Sequence, residues 1–183
     1  MARNKLKRIS IFLFCLTIII IIIFGTMGIL LFRKIEMPIS ASSFSNKNEA
    51  LQILYKEYDK DNNVKSNSYY KNFLEKDLKV GLYFYKERSI PKYNGLCYAT
   101  IRLIVIDEDI TGYQYCVTLT HEIMHLKRFI LQENYVCFET FKYLYESKEL
   151  HNVGVWYALM QLDGAYSGEY NICYQIVDYL TNK

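Results

Sequence analysis

His121-Glu122-Ile123-Met124-His125 brings two imidazoles and a carboxylate into five consecutive residues. Residues four apart on an α-helix share a face, so both rings can offer nitrogen to one divalent cation while Glu122 projects beside them. Zinc suits such donors, since it takes neutral imidazole at about 2.0–2.1 Å. Bound zinc polarises a carbonyl and brings the pKa of its water toward about 7. A carboxylate placed like Glu122 can accept that water's proton and pass it to a leaving amine. The same pentapeptide also occurs in helices whose histidines are ordinary surface or core residues. Here two of only three histidines in the chain fall within it, which a chain poor in histidine seldom does by chance.

The flanks extend the pattern. Thr118-Leu119-Thr120 before the motif, Ile123-Met124 within it and Leu126 after it are uncharged. With these flanks the segment resembles the zincin metallopeptidases, with a departure at Lys127, where that family has a hydrophobic residue. The resemblance covers roughly a quarter of the chain. It implies a small antiparallel sheet placed directly before the metal-binding helix, a Zn²⁺ cofactor held by His121 and His125, and Glu122 as the general base. It also implies that the last edge strand, Cys97 to Ile106 in this chain, binds a peptide substrate by strand addition; an ordinary central strand is the equal alternative.

Zinc needs a third protein ligand. Arg128 and Leu131 stand where the metzincin branch has Gly and His, so that extension is absent. The gluzincin branch takes a Glu from a following helix, and Glu133-Asn134-Tyr135-Val136 is similar to the start of that helix, with Val in place of Ala. Helical geometry sorts the candidates. Glu139, Lys142, Glu146 and Glu149 form a polar stripe with favourable charge spacing, the pattern of a solvated face. Glu133 falls among Val136, Cys137, Thr140, Tyr143 and Leu144, where a carboxylate needs a partner. An unbroken helix from His125 would carry Glu133 about 12 Å along the axis. The chain is therefore expected to turn near Phe129 to Gln132. Glu139 is the runner-up ligand, since a hairpin centred at residue 132 would set it opposite His125. A favourable charge at a helix N-terminus is the plainer account of Glu133.

These residues need a scaffold and an address. From Ile9 to Phe32 the chain is uncharged, with isoleucine from Ile18 through Ile23, long enough to cross about 30 Å of hydrocarbon. A transmembrane helix over 9–32 is expected, retained as an anchor rather than cleaved near Ile39-Ser40-Ala41. Arg3, Lys5, Lys7 and Arg8 precede it against Arg33 and Lys34 after it. The positive-inside rule thus keeps residues 1–8 in the cytoplasm and sends the remainder outside the cell membrane. Without those six residues, 16 Lys and Arg face 19 Asp and Glu, a net of −3 (22 less 6, less 19). Such a balance offers no basic field for nucleic acid, and the flanking basic residues suit membrane lipid.

Residues 33–48, with Pro38, several serines and Asn46-Lys47-Asn48, read as a tether, leaving 49–183 for one domain. A helix is expected around Ala50–Tyr58, strands over Leu78–Tyr85 and Leu96–Ile106, the motif helix from about Tyr113, and helices over Val153–Leu162 and Tyr170–Leu180. The last two are expected to cover the zinc helices. The fold class is then α+β: an N-terminal transmembrane helix, then a small zincin-like domain with an antiparallel sheet and several helices. Cys97, Cys116, Cys137 and Cys173 show no CxxC spacing and read as buried thiols, two disulfides being the alternative. His151 can stabilise an oxyanion or simply be polar surface; Tyr157, Tyr166 and Tyr170 are open for the same role, and Glu169 is a further carboxylate.

The expected activity is hydrolysis of peptide or protein substrates by a membrane-anchored zinc metallopeptidase. A membrane-tethered regulatory or binding module with a structural or inactive site, and a zinc amidase acting on a cell-wall substrate, are the alternatives.

Overall fold

The computed structural model describes residues 46–80, 84–87, 94–128, 132–163 and 172–182. The expected anchor at 9–32 lies outside these residues, and among those described no helix is long and apolar enough to cross a membrane.

Helix α1, Lys47–Glu57, begins inside the segment expected as tether and buries Ala50 and Leu54. Helix α2, Asn67–Asp77, is an element for which the sequence reading had no place. Its signals are nonetheless local: the Ser66 hydroxyl caps Tyr69 N–H, and Tyr70 and Leu74, four apart, are buried. The strand expected over Leu78–Tyr85 is therefore displaced. Leu78 closes α2, Lys79 turns the chain at φ +48°, and strand β1 runs Phe84–Glu87.

Strand β2, Gly95–Tyr98, and strand β3, Leu103–Ile106, correct the expectation of one strand from Leu96 to Ile106. A 3₁₀ turn over Ala99–Ile101, closed by Arg102 at φ +53°, folds that stretch into a hairpin with Gly95 opposite Ile106 and Tyr98 opposite Leu103. The turn was hidden because its left-handed residue is Arg rather than Gly or Asn. Sheet order is β1-β3-β2, with β1 parallel and β2 antiparallel to β3. The sheet is thus mixed rather than antiparallel, β3 is central, and the outer strand next to it in sequence is β2.

Helix α3, Gly112–Arg128, carries the motif, and α4, Glu133–Glu146, follows it. Helices α5, His151–Leu162, and α6, Cys173–Thr181, complete the described structure. Gly112 starts α3 at φ +60°, where a Cβ would lie 2.7 Å from Val64 Cγ1. The Asn67 side chain accepts from Gly112 N–H and donates to Ile110 O, pinning the entry of α3 to α2. Buried Asn152 of α5 donates to Asp59 O and to the Tyr113 hydroxyl and accepts from Asp59 N–H, fastening the same end from the other side.

Two apolar cores flank these helices. One joins Tyr70 and Leu74 of α2, Ile104 and Ile106 of β3, and Tyr115, Cys116, Leu119, Ile123 and Leu126 of α3. The other joins α1, α5 and α6 around Phe141 and Tyr145 of α4. Helix α4 contributes Val136 and Leu144 to the first and Cys137 and Phe141 to the second, so it is clamped along its length. Helix α5 packs on both α3 and α4, and α6 packs on α4 as well as on α1 and α5.

Candidate metal centre

Helix α3 turns Cys116, Leu119, Ile123 and Leu126 into the core and leaves His121 and His125 half-buried on another face. That division follows from the 3.6-residue period, since 121 and 125 lie one turn apart. Their rings meet edge-on with centroids 4.7 Å apart, and the two Nε2 atoms are 3.0 Å from each other.

Glu133 meets the same two nitrogens. Its Oε2 lies 3.0 Å from His121 Nε2 and its Oε1 3.3 Å from His125 Nε2. It is the first residue of α4, preceded by Gln132 in an extended conformation; residues 129–131 of the expected turn lie outside the described residues. The break demanded by helical rise therefore falls between Arg128 and Glu133. Glu139 lies six residues further along α4, about 9 Å in rise.

Two facing imidazole nitrogens and the two oxygens of one carboxylate are hard to satisfy with protons alone. Two Nε2–H groups cannot point at each other, so one ring must present a lone pair to the other. A single cation would accept lone pairs from both rings and the carboxylate. In tetrahedral zinc with bonds of about 2.0–2.1 Å, ligand atoms stand about 3.3 Å apart; here the two Nε2 atoms are 3.0 Å apart and each meets its own oxygen of Glu133, at 3.0 and 3.3 Å. Two imidazoles and one carboxylate are also the donor types zinc accepts in sites that keep a position open.

His121 has a further neighbour, one that no local sequence signal marks as a partner of the motif. Cys137, four residues beyond Glu133 on α4, places Sγ 3.8 Å from His121 Nδ1. His121, Glu133 and Cys137 each offer a donor atom within 4.8 Å of the others. Sulfur faces the opposite ring nitrogen from the carboxylate, so these four residues do not form one ligand set through a single lone pair of His121.

Glu122 is 7 % exposed, beside the imidazoles and against β2. Burial pushes its carboxyl above the ordinary value, while electrostatic attraction to the neighbouring His121 and His125 rings pulls it back in part. Cys97 on β2 is pushed up to about 12 by burial and then by the Glu122 charge. A Cβ at Gly95 would lie 2.7 Å from Thr118 Cγ2 and 3.0 Å from both Cγ and Oε1 of Glu122. The Asn94-Gly95 pair, a turn signal in sequence, thus provides the space in which the carboxylate sits. Gly95→Ala is expected to cost about 1–3 kcal/mol of stability through overpacking and to displace Glu122. A denaturant midpoint equal to wild type would show that β2 does not press on α3.

Burial alone would raise the Glu133 carboxyl and lower the His121 imidazole. Hydrogen bonds from His121 and His125 with their charge instead bring Glu133 down to about 2. Hydrogen bonds with Cys137 and Glu133, then the charge of Glu122, lift His121 to about 10. Both directions describe the metal-free pair. Glu133 stabilises the fold above its ordinary 4.5 and loses that contribution as pH falls toward about 2. His121 stabilises it below its ordinary 6.5 and loses that contribution as pH rises through about 10. The chelated protein should therefore gain most from this pair between pH 4.5 and 6.5. Thermal unfolding of wild type minus Glu133→Gln across pH measures that gain; a flat difference would remove the pair from the stability account.

The remaining sequence candidates lie elsewhere. His151 holds Tyr145 O through Nδ1 at 2.6 Å and Glu57 Oε2 through Nε2 at 3.4 Å. Tyr145 is twelve residues beyond Glu133, about 18 Å along α4, so His151 is not brought to the imidazoles. Tyr157 is buried in the second core. Tyr166, Glu169 and Tyr170 lie outside the described residues. Among the described residues Cys97, Cys116, Cys137 and Cys173 form no disulfide.

No family model, characterised protein or solved structure matches this chain. The functional reading accordingly rests on the site itself.

Proposed function

We propose that the chain is a membrane-anchored zinc-dependent peptidase, with His121, His125 and Glu133 holding Zn²⁺ and Glu122 acting as general base. The observation that carries this reading is the convergence of His121 Nε2, His125 Nε2 and the Glu133 carboxylate at 3.0–3.3 Å, with a buried carboxylate beside them. Bound zinc supplies a Lewis acid and an acidified water at such a centre. Glu122 receives the proton of the attacking water and returns it to the amide nitrogen as the C–N bond breaks, so hydrolysis consumes one water and leaves a carboxylic acid and an amine. Its raised carboxyl makes it a stronger base than an exposed glutamate. The outer strand β2, with Gly95 against Glu122, offers backbone beside the same carboxylate for an extended substrate.

The apolar run at 9–32 and its flanking charges support an anchor with the catalytic domain outside and with lipid as its other partner. One experiment tests the catalytic reading. The purified full chain should hold about one zinc and cleave unstructured peptides, a chelator should abolish cleavage, and added zinc should restore it. Cleavage indifferent to chelator, in a chain that holds no zinc, would refute the proposal.

A further inference from the structure

We propose that Cys137 is a positioning residue of this centre: its sulfur accepts the Nδ1–H of His121 and so turns the Nε2 lone pair toward His125 and Glu133. The inference rests on the metal reading given above and adds to it the group that fixes one ligand.

A neutral imidazole has one N–H and one lone pair, and the nitrogen that binds metal must be the one without hydrogen. The tautomer is set by whatever the other nitrogen meets. For His121 the atom facing Nδ1 among the described residues is Cys137 Sγ, at 3.8 Å, while Nε2 faces Glu133 Oε2 and His125 Nε2, both at 3.0 Å. Metal-binding histidines ordinarily give their second N–H to a carboxylate, a carbonyl or water. Here a sulfur stands in that place. Were the thiol to donate to Nδ1, the ring hydrogen would sit on Nε2 and exclude the cation.

The placement is a consequence of α4. Glu133 and Cys137 are four residues apart and share one helix face, so a single helix meets both nitrogens of the same ring. Cys137 is 8 % exposed and belongs to the second core with Phe141. Its sulfur is thereby held in place by packing, and the ring orientation becomes tied to the docking of α4. As a direct ligand Cys137 fits less well, because a cation between Sγ and Nδ1 would lie on the far side of the ring from the Nε2 atom that faces His125.

Zinc affinity of the full chain, measured by chelator competition, distinguishes these roles. Cys137→Val keeps apolar bulk and removes the acceptor; Cys137→Ser keeps an acceptor at a shorter reach. Zinc should bind about 10–100-fold more weakly to the Val variant, with stoichiometry and far-ultraviolet circular dichroism unchanged, and the Ser variant should fall between it and wild type. The wild-type cobalt derivative should lack a thiolate-to-cobalt charge-transfer band. Wild-type affinity in Cys137→Val would overturn the positioning role, and a charge-transfer band lost in Cys137→Ser would overturn it in favour of direct ligation. If wild type itself binds no zinc, and His121→Ala and His125→Ala change nothing, the metal reading fails and this inference with it.

Discussion

Glu122→Gln is expected to lower peptide hydrolysis by about 10²–10⁴-fold, the usual worth of a general base, while zinc content stays at the wild-type level. The two halves of that result have different causes. Gln cannot take a proton from water, but it has nearly the shape of Glu and leaves His121, His125 and Glu133 untouched. The same substitution should stabilise the metal-free protein at neutral pH. Burial raises the Glu122 carboxyl, so its ionised form is disfavoured by folding; the penalty is absent below its ordinary 4.5 and grows as pH rises through the folded value. Gln carries no such penalty, so the variant's unfolding temperature should exceed that of wild type at pH 7 and match it near pH 4. Parallel assays of turnover, zinc content and thermal unfolding check all three parts. Full activity in a zinc-loaded Glu122→Gln protein would remove Glu122 from the chemistry. No activity in wild type, with zinc bound, would favour a tethered binding module, and cleavage of a cell-wall amide but no peptide would favour the amidase reading.

What could be read from sequence follows from how local each signal is. The α3 face is local: Cys116, Leu119, Ile123 and Leu126 recur at helical spacing, and the core contains all four. So is the α4 argument. Glu133 stood out as a carboxylate on an apolar stripe, and Val136, Cys137, Thr140 and Leu144 of that stripe are buried while Glu133 turns to the imidazoles. The hairpin escaped because Arg102 takes a conformation that Gly or Asn would have announced. Parallel pairing of β1 with β3 escaped because it depends on the path of the chain between them, which no strand pattern encodes. Helix α2 had its cap and its Tyr70–Leu74 spacing in plain view, beneath a polar composition that resembles a loop. Cys137 and Gly95 belong to another class: each matters through a single neighbour, His121 Nδ1 or Glu122, supplied by a different element.

Loss of Glu133 should be felt by the metal nearly as strongly as loss of a histidine. Removing an outer hydrogen-bond partner of a metal ligand typically costs 10–100-fold in affinity, and removing a ligand itself should exceed about 100-fold. His121→Ala, His125→Ala and Glu133→Ala proteins should therefore emerge from dialysis against weak chelator with little zinc, whereas Glu139→Ala should keep the wild-type amount. The contrast is sharp because both glutamates sit on one helix and carry the same charge. Any effect of general electrostatics would appear in both variants, while coordination appears in one. Position decides between them: Glu133 lies at the first residue of α4, with both carboxylate oxygens within 3.3 Å of an imidazole nitrogen. Glu139 is a turn and a half further on, on the stripe the charge pattern assigned to solvent. Zinc lost from Glu139→Ala and kept by Glu133→Ala would transfer the ligand role. Zinc kept after both histidines are removed would dissolve the site altogether, since two of its three proposed ligands would then be dispensable.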